Sequence, residues 1–526
     1  MATDKKIKEF KEYINAGNTF KKDSIVIGGA MLDGEPVNDA KVRIPLKTLN
    51  RHGLIAGATG TGKTKTLQVM AEQLSLNGVP SVLMDIKGDL SGLAQPGESN
   101  DHIVWRHGAI GEDYNAQALP VELFSISNEP GTRMRATISE FGPVLLSKIL
   151  GLNDTQGGII TIMFKYCDDN KLPLLDLKDL RKTLQYLNSE GKKEIEKEYG
   201  RISSVSISTI MRKVVELEQQ GAEKFFGEKS FEVSDFLLKD KDGNGKISII
   251  RLTDIQNKPK LFSTFMLSLL AEIYQTFPEA GDSDKPKMCL FIDEAHLVFE
   301  EASDELLDQI EIIIKLIRSK GVGIFFCTQT PTDIPNDVLG QLGLKIQHAL
   351  RAFTAKDRKA IKRTAENYPL TDYYKTDEII TQLGIGEALV TALNEKGIPT
   401  PLAATLLRAP ITRMGILTDK EIKEVVDNSE LGSKYNESVD RDSAYEILDK
   451  KIKRAQEEEH QVELRKEQDK LEKERRKIRE REEKRSQPRR RRGRPRKSAT
   501  DKFIDKAGTT LVRELTRGLL GILGIR

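Results

Sequence analysis

The chain has 526 residues, 31% charged and 38% apolar, with a formal net charge of +3, a balance that suits a soluble chain burying a large core in two or more structural units. No uninterrupted apolar run reaches the roughly 18 residues of a membrane-spanning helix, and the opening "MATDKKIKEF" is too charged for a signal peptide. Cys167, Cys289 and Cys327 show no metal-ligand spacing, which predicts reduced thiols in a cytoplasmic protein.

Residues 1–50 read as an N-terminal helix and a small β segment, because "SIVIGGAMLDGEPVNDAKVRIPLKTLN" alternates apolar and polar positions around the turn "DGEP". An α/β pattern then begins. "GLIAG" predicts a strand, Lys63 to about Leu76 a helix, and "PSVLMDI" a second strand ending at Asp85. This is the first part of an ATPase core, residues 51–132. Residues 133–235 are helical in period and read as an insertion after the second strand. Strands return at "KISIIRL", "KMCLFID" and "VGIFFCTQ", separated by helical stretches, and form the second part of the core, residues 236–410. Alternation of this kind predicts an α/β fold with a mainly parallel sheet covered on both faces. "GEALVTALNEKGIPTPLAATLL" reads as a closing hairpin.

A helical extension (411–456) leads to a charged linker (457–500), either a solvated helix or a disordered stretch, and to an amphipathic helix (501–526). Residues 451–497 hold 21 basic and 11 acidic side chains, and residues 498–526 hold 5 and 3. That leaves 57 basic and 66 acidic residues, a net of −9, for residues 1–450. Attraction to a polyanion is therefore concentrated in the tail or in local patches of the body. Arg513 and Arg517 interrupt the terminal leucine face, which favours a docking helix over a membrane anchor.

The chemistry starts at Gly57-Ala58-Thr59-Gly60-Thr61-Gly62-Lys63-Thr64, which fits G-x-x-x-x-G-K-[ST] with a strand before it and a helix after it. Glycines let backbone N–H groups turn toward phosphate oxygens. The expected nucleotide set is this run together with Thr66. Lys63 would reach the β- and γ-phosphates of ATP, and the Thr64 hydroxyl would hold Mg²⁺. In "MCLFIDEAHLVFE", Asp293 and Glu294 stand at a strand's C-terminal end. Asp293 would hold Mg²⁺ through water, and Glu294 would orient and deprotonate the attacking water. His296 is balanced between a γ-phosphate sensor and a packing residue. Asp85 and Gln329 end strands that would flank the site. Arg318 closes a helix, where the helix dipole favours a cation, and would also serve as a finger across a subunit boundary. Arg51, just before the first core strand, would act from within its own subunit. "DKDGNGKIS" imitates the start of a calcium loop, but Arg251 stands where a bidentate Glu is needed, so a turn before a strand is the better reading.

"LNRHGLIAGATGTGKT", "SVLMDIKGDLSG", "MCLFIDEAHLVF" and "GIFFCTQTPTDIP" resemble the HerA–FtsK group of hexameric DNA-pumping ATPases, most of all the bacterial HerA-like YjgR type, over roughly residues 20–410. The resemblance implies a RecA-like core, a homohexameric ring and ATP-driven movement on double-stranded DNA. It makes Lys63, Thr64, Asp293 and Glu294 the catalytic set, Asp85 and Gln329 accessory polar positions, and Arg318 a finger supplied to a neighbour, with Arg51 the second arginine. The full N-terminal β-barrel of archaeal HerA and the membrane segments of FtsK have no counterpart in this sequence. Two rival readings keep the nucleotide chemistry: an ATPase whose client is a nuclease or other protein, and a nucleotide-gated binding module. In the tail, "PRRRRGRPRK" (488–497) contains Arg492-Gly493-Arg494-Pro495-Arg496, which resembles an AT-hook; the plainer reading is a basic run that binds any polyanion.

Overall fold

Short apolar runs build most of the sheet of the computed structural model, which describes residues 4–299, 304–437, 439 and 441–486. Its strands are β1 Ser24–Leu32, β2 Glu35–Pro45, β3 Gly53–Ala56, β4 Ser81–Asp85, β5 Val121–Ser125, β6 Thr132–Arg133, β7 Ile247–Arg251, β8 Met288–Ile292, β9 Val322–Thr328, β10 Leu344–His348, β11 Glu387–Thr391 and β12 Ala403–Leu407. They form one sheet in the order β2-β1-β12-β11-β10-β3-β9-β8-β4-β7-β5-β6. From β10 to β6 every neighbouring pair is parallel, whereas β10–β11, β11–β12, β12–β1 and β1–β2 are antiparallel. The mainly parallel α/β fold expected from the alternation is thus present.

Period-two alternation sends β4 to both faces. Val82 and Met84 join a core with the helix Pro259–Thr276 and the helices of residues 138–219. Leu83 joins the opposite core with Leu67, Met70 and Leu74 of the helix Lys63–Leu76. Both faces are therefore covered, as near-continuous apolar strands require.

The structure differs from the sequence reading in two places. The β1–β2 hairpin is not a separate segment, because β1 pairs with β12 and extends the main sheet. Its two-residue turn places Asp33 (φ 51°) and Gly34 (φ 87°) in the left-handed region, as a hairpin closed by Asp-Gly does. Secondly, β5, β6 and β10 are strands that the sequence reading lacks, and with β5 and β6 present the helical block follows β6 rather than the second strand. Glu122 breaks the apolar pattern of β5, yet it is 5% exposed and is neutralised by Lys246 Nζ at 2.8 Å.

"DKDGNGKIS" is a turn, as read. Asp240 Oδ1 accepts from the amides of Asp242 and Asn244 at 2.9 and 2.8 Å, and β7 begins at Ile247. The three cysteines are free and buried. Two units divide the chain, Met1–Ile452 and Lys453–Arg526. The charged linker is helical through Ser486, part of the helix Ala444–Ser486, and its described side chains beyond Lys453 are almost all exposed. The basic run and the terminal amphipathic helix lie outside the described residues. Among the described residues no helix is long and apolar enough to cross a membrane.

Candidate nucleotide site

Parallel strands deliver their C-terminal ends to one edge of a sheet, and β3, β9, β8 and β4 are consecutive neighbours. The phosphate loop after β3, Gln329 after β9, Asp293-Glu294 after β8 and Asp85 at the end of β4 are therefore gathered along one edge. No two of these segments are close in sequence; the strand order makes them a site.

The loop is held by its neighbours. Gly57 N donates to Thr328 O at 3.2 Å, and Ala58 N donates to Ala349 O at 2.8 Å. A Cβ on Gly57 would lie 2.4 Å from the Cβ of His348, so this position admits only glycine. Gly62 has φ 109° and precedes the helix Lys63–Leu76 without a side-chain cap, which leaves the first helical N–H groups for phosphate oxygens. Lys63 Nζ donates to the loop's own carbonyls, Gly57 O at 2.7 Å and Ala58 O at 3.2 Å, and burial lowers its pKa. Thr59 and Gly60 are exposed, Thr61 is buried, and Thr64 is half-buried. Thr66 turns inward instead, its hydroxyl 2.9 Å from His348 Nε2.

The carboxylates are buried. Asp293 is 2% exposed, and its Oδ2 has no hydrogen-bond partner. Burial, then the neighbouring Glu294 charge, pushes its pKa up to about 6, against the pull of Lys87. Glu294 is 6% exposed and takes φ 46°, a conformation that costs a non-glycine residue about 1 kcal/mol. Lys87 Nζ donates to its Oε1, while Oε2 has no hydrogen-bond partner. His296 Nδ1 lies 3.3 Å from Oε2, so His296 packs against the proposed base. Burial opposes the charge of Lys87, but the hydrogen bond to Glu294 and the field of Asp293 leave its pKa raised overall. Asp85 is pushed up to about 7 by burial and then by Asp89, while its oxygens accept from the amides of Gly88, Asp89 and Leu90 at 2.7, 3.1 and 3.2 Å. Asp85 therefore shapes the turn that carries Lys87. Gln329 is exposed beside the start of the phosphate loop.

An orphaned carboxylate oxygen on Asp293 and a half-buried Thr64 hydroxyl suit Mg²⁺, which takes few protein ligands and completes its shell with water and phosphate oxygens. Among the described residues there is no cluster of three or more His, Cys, Asp or Glu side chains arranged to hold a metal without a phosphate ligand.

Lys87 and His348 escaped the sequence reading. Lys87 lies two residues beyond Asp85, and that closeness to a strand end is the available signal. The arginines lie elsewhere. Arg51 precedes β3 and Arg318 precedes β9, so both sit at the N-terminal edge of the sheet, away from the loop. They line one cleft of about 410 Å³ with Lys47 and Lys315, and burial and then the Arg318 charge lower the pKa of Arg51. β3 alone separates Arg51 from its own phosphate loop by about 13 Å of strand, so the expectation that Arg51 acts within its own subunit does not fit this placement. His52 fixes this end of the sheet. Its Nε2 donates to Ile314 O at 2.9 Å and its Nδ1 accepts from Ile324 N at 3.0 Å.

A family model described as "Helicase HerA-like C-terminal" matches residues 31–526. The chain is 25% identical over 403 residues to a probable helicase of Methanocaldococcus jannaschii, covering 69% of this chain and 67% of that protein. It is 22% identical over 351 residues to the DNA double-strand break repair helicase HerA of Sulfurisphaera tokodaii, covering 63% of this chain and 61% of the relative's length. Among solved structures, the bacterial conjugative coupling protein TrwBdeltaN70 aligns over 77% of this chain and 94% of its own, with 13% identity and a TM-score of 0.49.

Proposed function

This chain belongs to the HerA-like C-terminal helicase family, and from that membership we propose that it is an Mg²⁺-dependent ATPase motor, a homohexameric ring that moves on or remodels double-stranded DNA. The observation that carries the hydrolytic part is the pairing of a phosphate loop with a buried glutamate whose one oxygen is held by Lys87 and whose other, beside His296, accepts no hydrogen bond. The helix N-terminus and Lys63 bind the β- and γ-phosphates. Thr64, and Asp293 through water, would hold Mg²⁺, which would neutralise charge on the phosphates. Glu294 Oε2 takes the proton of the attacking water, while Lys87 fixes Oε1 and so the direction of the carboxylate. Gln329 contacts the γ-phosphate. Arg318 and Arg51, at the far edge of the sheet, serve the phosphate loop of a neighbouring subunit. The DNA part draws support from a relative named as a DNA double-strand break repair helicase.

The test is ATP turnover with and without duplex DNA, together with the mass of the particle in solution. A ring-sized mass and turnover raised by duplex are the expected results. Turnover indifferent to duplex would replace DNA with a protein or nuclease client. ATP binding without turnover would reduce the protein to a nucleotide-gated binding module.

A further inference from the structure

A cleft of about 800 Å³ opens between the edge strand β6, the start of the helix Leu177–Asn188 and the segment leading into the helix Ala444–Ser486. None of its lining residues belongs to the nucleotide site. Its lining carries seven basic and five acidic side chains. Arg181 pairs with Glu218, Lys182 with Asp449 and Arg441 with Glu228. The nearby carboxylates of Asp176, Asp179 and Glu446 accept from backbone amides or from Ser443. Arg133, Arg135, Lys178 and Lys224 remain without a carboxylate partner among the described residues, and Asp176, Asp179, Glu223 and Glu446 without a basic one, so what favours an anion here is the placement of the two arginines and not a net charge.

Local geometry makes the two arginines a pair. "TRMRA" runs extended through the end of β6, so residues 133 and 135 project to one side while Met134, 3% exposed, is buried on the other. Arg135 donates to the Tyr435 carbonyl at 2.8 Å, and burial and then the Arg133 charge lower its pKa. The Nη1 of Arg133 is buried with no hydrogen-bond partner. An unsatisfied guanidinium nitrogen beside a like charge is costly unless an anion completes it. The remaining cations come from different segments of the rim, so one phosphate cannot satisfy them all, whereas a chain of phosphates can.

We propose that this cleft is a sequence-independent site for the phosphodiester backbone of nucleic acid, with Arg133 and Arg135 as its floor and Lys178 and Lys224 on its rim. The inference rests on the proposed DNA motor and assigns it a contact surface within an otherwise acidic body.

The experiment titrates a fluorescently labelled duplex of mixed sequence with the full-length protein at several salt concentrations. Its variants are Arg133→Ala with Arg135→Ala, and Lys178→Ala with Lys224→Ala. The two lysines are exposed and their described contacts are through the backbone, which alanine keeps, so their loss leaves folding intact even if that of the arginine pair does not. Each double variant is expected to weaken duplex binding about tenfold or more and to reduce the slope of log affinity against log salt by about 2. ATP turnover without DNA should be unchanged. Wild-type affinity and slope in both double variants would overturn the cleft as the site and leave the DNA motor standing. No duplex binding by the wild-type protein would overturn both.

Discussion

Glu294 is fixed by two constraints at once: a left-handed backbone at φ 46° and a hydrogen bond from Lys87 to one of its oxygens. A carboxylate held in this way has little freedom except at Oε2, which is what a base aimed at one water needs. Glu294→Gln should bind ATP normally and lose turnover by about 10²–10⁴-fold, because the amide keeps the shape but takes no proton. Lys63→Ala should raise the dissociation constant for ATP instead. ATP titrations and steady-state turnover separate the two outcomes, and near-normal turnover in Glu294→Gln would remove it as the base. Lys87→Met should reduce kcat by about 10–100-fold with little change in KM, since it frees the base without touching the loop. Lys87→Arg should restore much of the loss. A Lys87→Met variant that changes KM alone would make Lys87 a phosphate ligand rather than a positioning residue. The loop and Asp293-Glu294 were legible because each chemistry is written within a few consecutive residues. Lys87 was not, because the partner that gives it a role lies 207 residues further on.

At the scale of elements, two buried histidines connect segments that the chain keeps far apart. His52 joins the end of the helix Asp304–Ile317 to β9, and His348 supports Thr66 behind the phosphate loop. Burial lowers both to about 4. A lowered histidine pKa means that the unfolded chain binds the proton more readily. The contribution of each is whole above about pH 6.5 and is lost as pH falls toward 4, up to about 3 kcal/mol apiece. Asp85, raised to about 7, has the opposite sign: its contribution is present at low pH and is lost as pH rises through 7. The net curve therefore hides the histidines, and a variant is needed to expose them. Urea unfolding of wild type and His52→Gln at about pH 7.5 and pH 4.5 should show the stability gap between them shrinking by about 2–3 kcal/mol toward acid. A constant gap would mean that His52 is not held neutral by the fold. The same long-range logic separates what sequence revealed of the fold from what it did not. β3, β4, β7, β8 and β9 declared themselves as apolar runs between glycines and charges. β5 did not, because its Glu122 looks like a surface residue until Lys246 is seen to neutralise it. The pairing of β1 with β12, almost the whole body apart in sequence, leaves no trace in either strand alone.

For the whole molecule, both charge and assembly make predictions. Residues 488–497 carry seven cations in a chain whose first 450 residues are net negative. Deleting them should flatten the salt dependence of duplex binding, and A·T-rich duplex should lose more affinity than G·C-rich duplex if the segment enters the minor groove. Binding titrations at two salt concentrations measure both effects, and an unchanged slope would exclude the segment from DNA binding. The proposed ring gives the position of the arginines a use. A side chain at the N-terminal edge of a sheet cannot serve a loop at the C-terminal edge of the same strands, but a head-to-tail ring brings those two edges together between neighbours. Each active site would then take its phosphate loop, Asp293 and Glu294 from one subunit and Arg318 and Arg51 from the next. Arg318→Ala should leave ATP binding intact and reduce turnover by about 10³-fold or more. Mixed with Glu294→Gln subunits, it should regain activity. An Arg318→Ala subunit still has its Glu294, and a Glu294→Gln neighbour still offers it Arg318. Random equal mixing makes about one interface in four intact in this sense, so about a quarter of wild-type turnover is expected if interfaces fire independently. Subunit exchange can be followed with a fluorescent pair on the two variants. Proven exchange without recovered turnover would show that the site is not shared and would remove the arginines from the hydrolytic site.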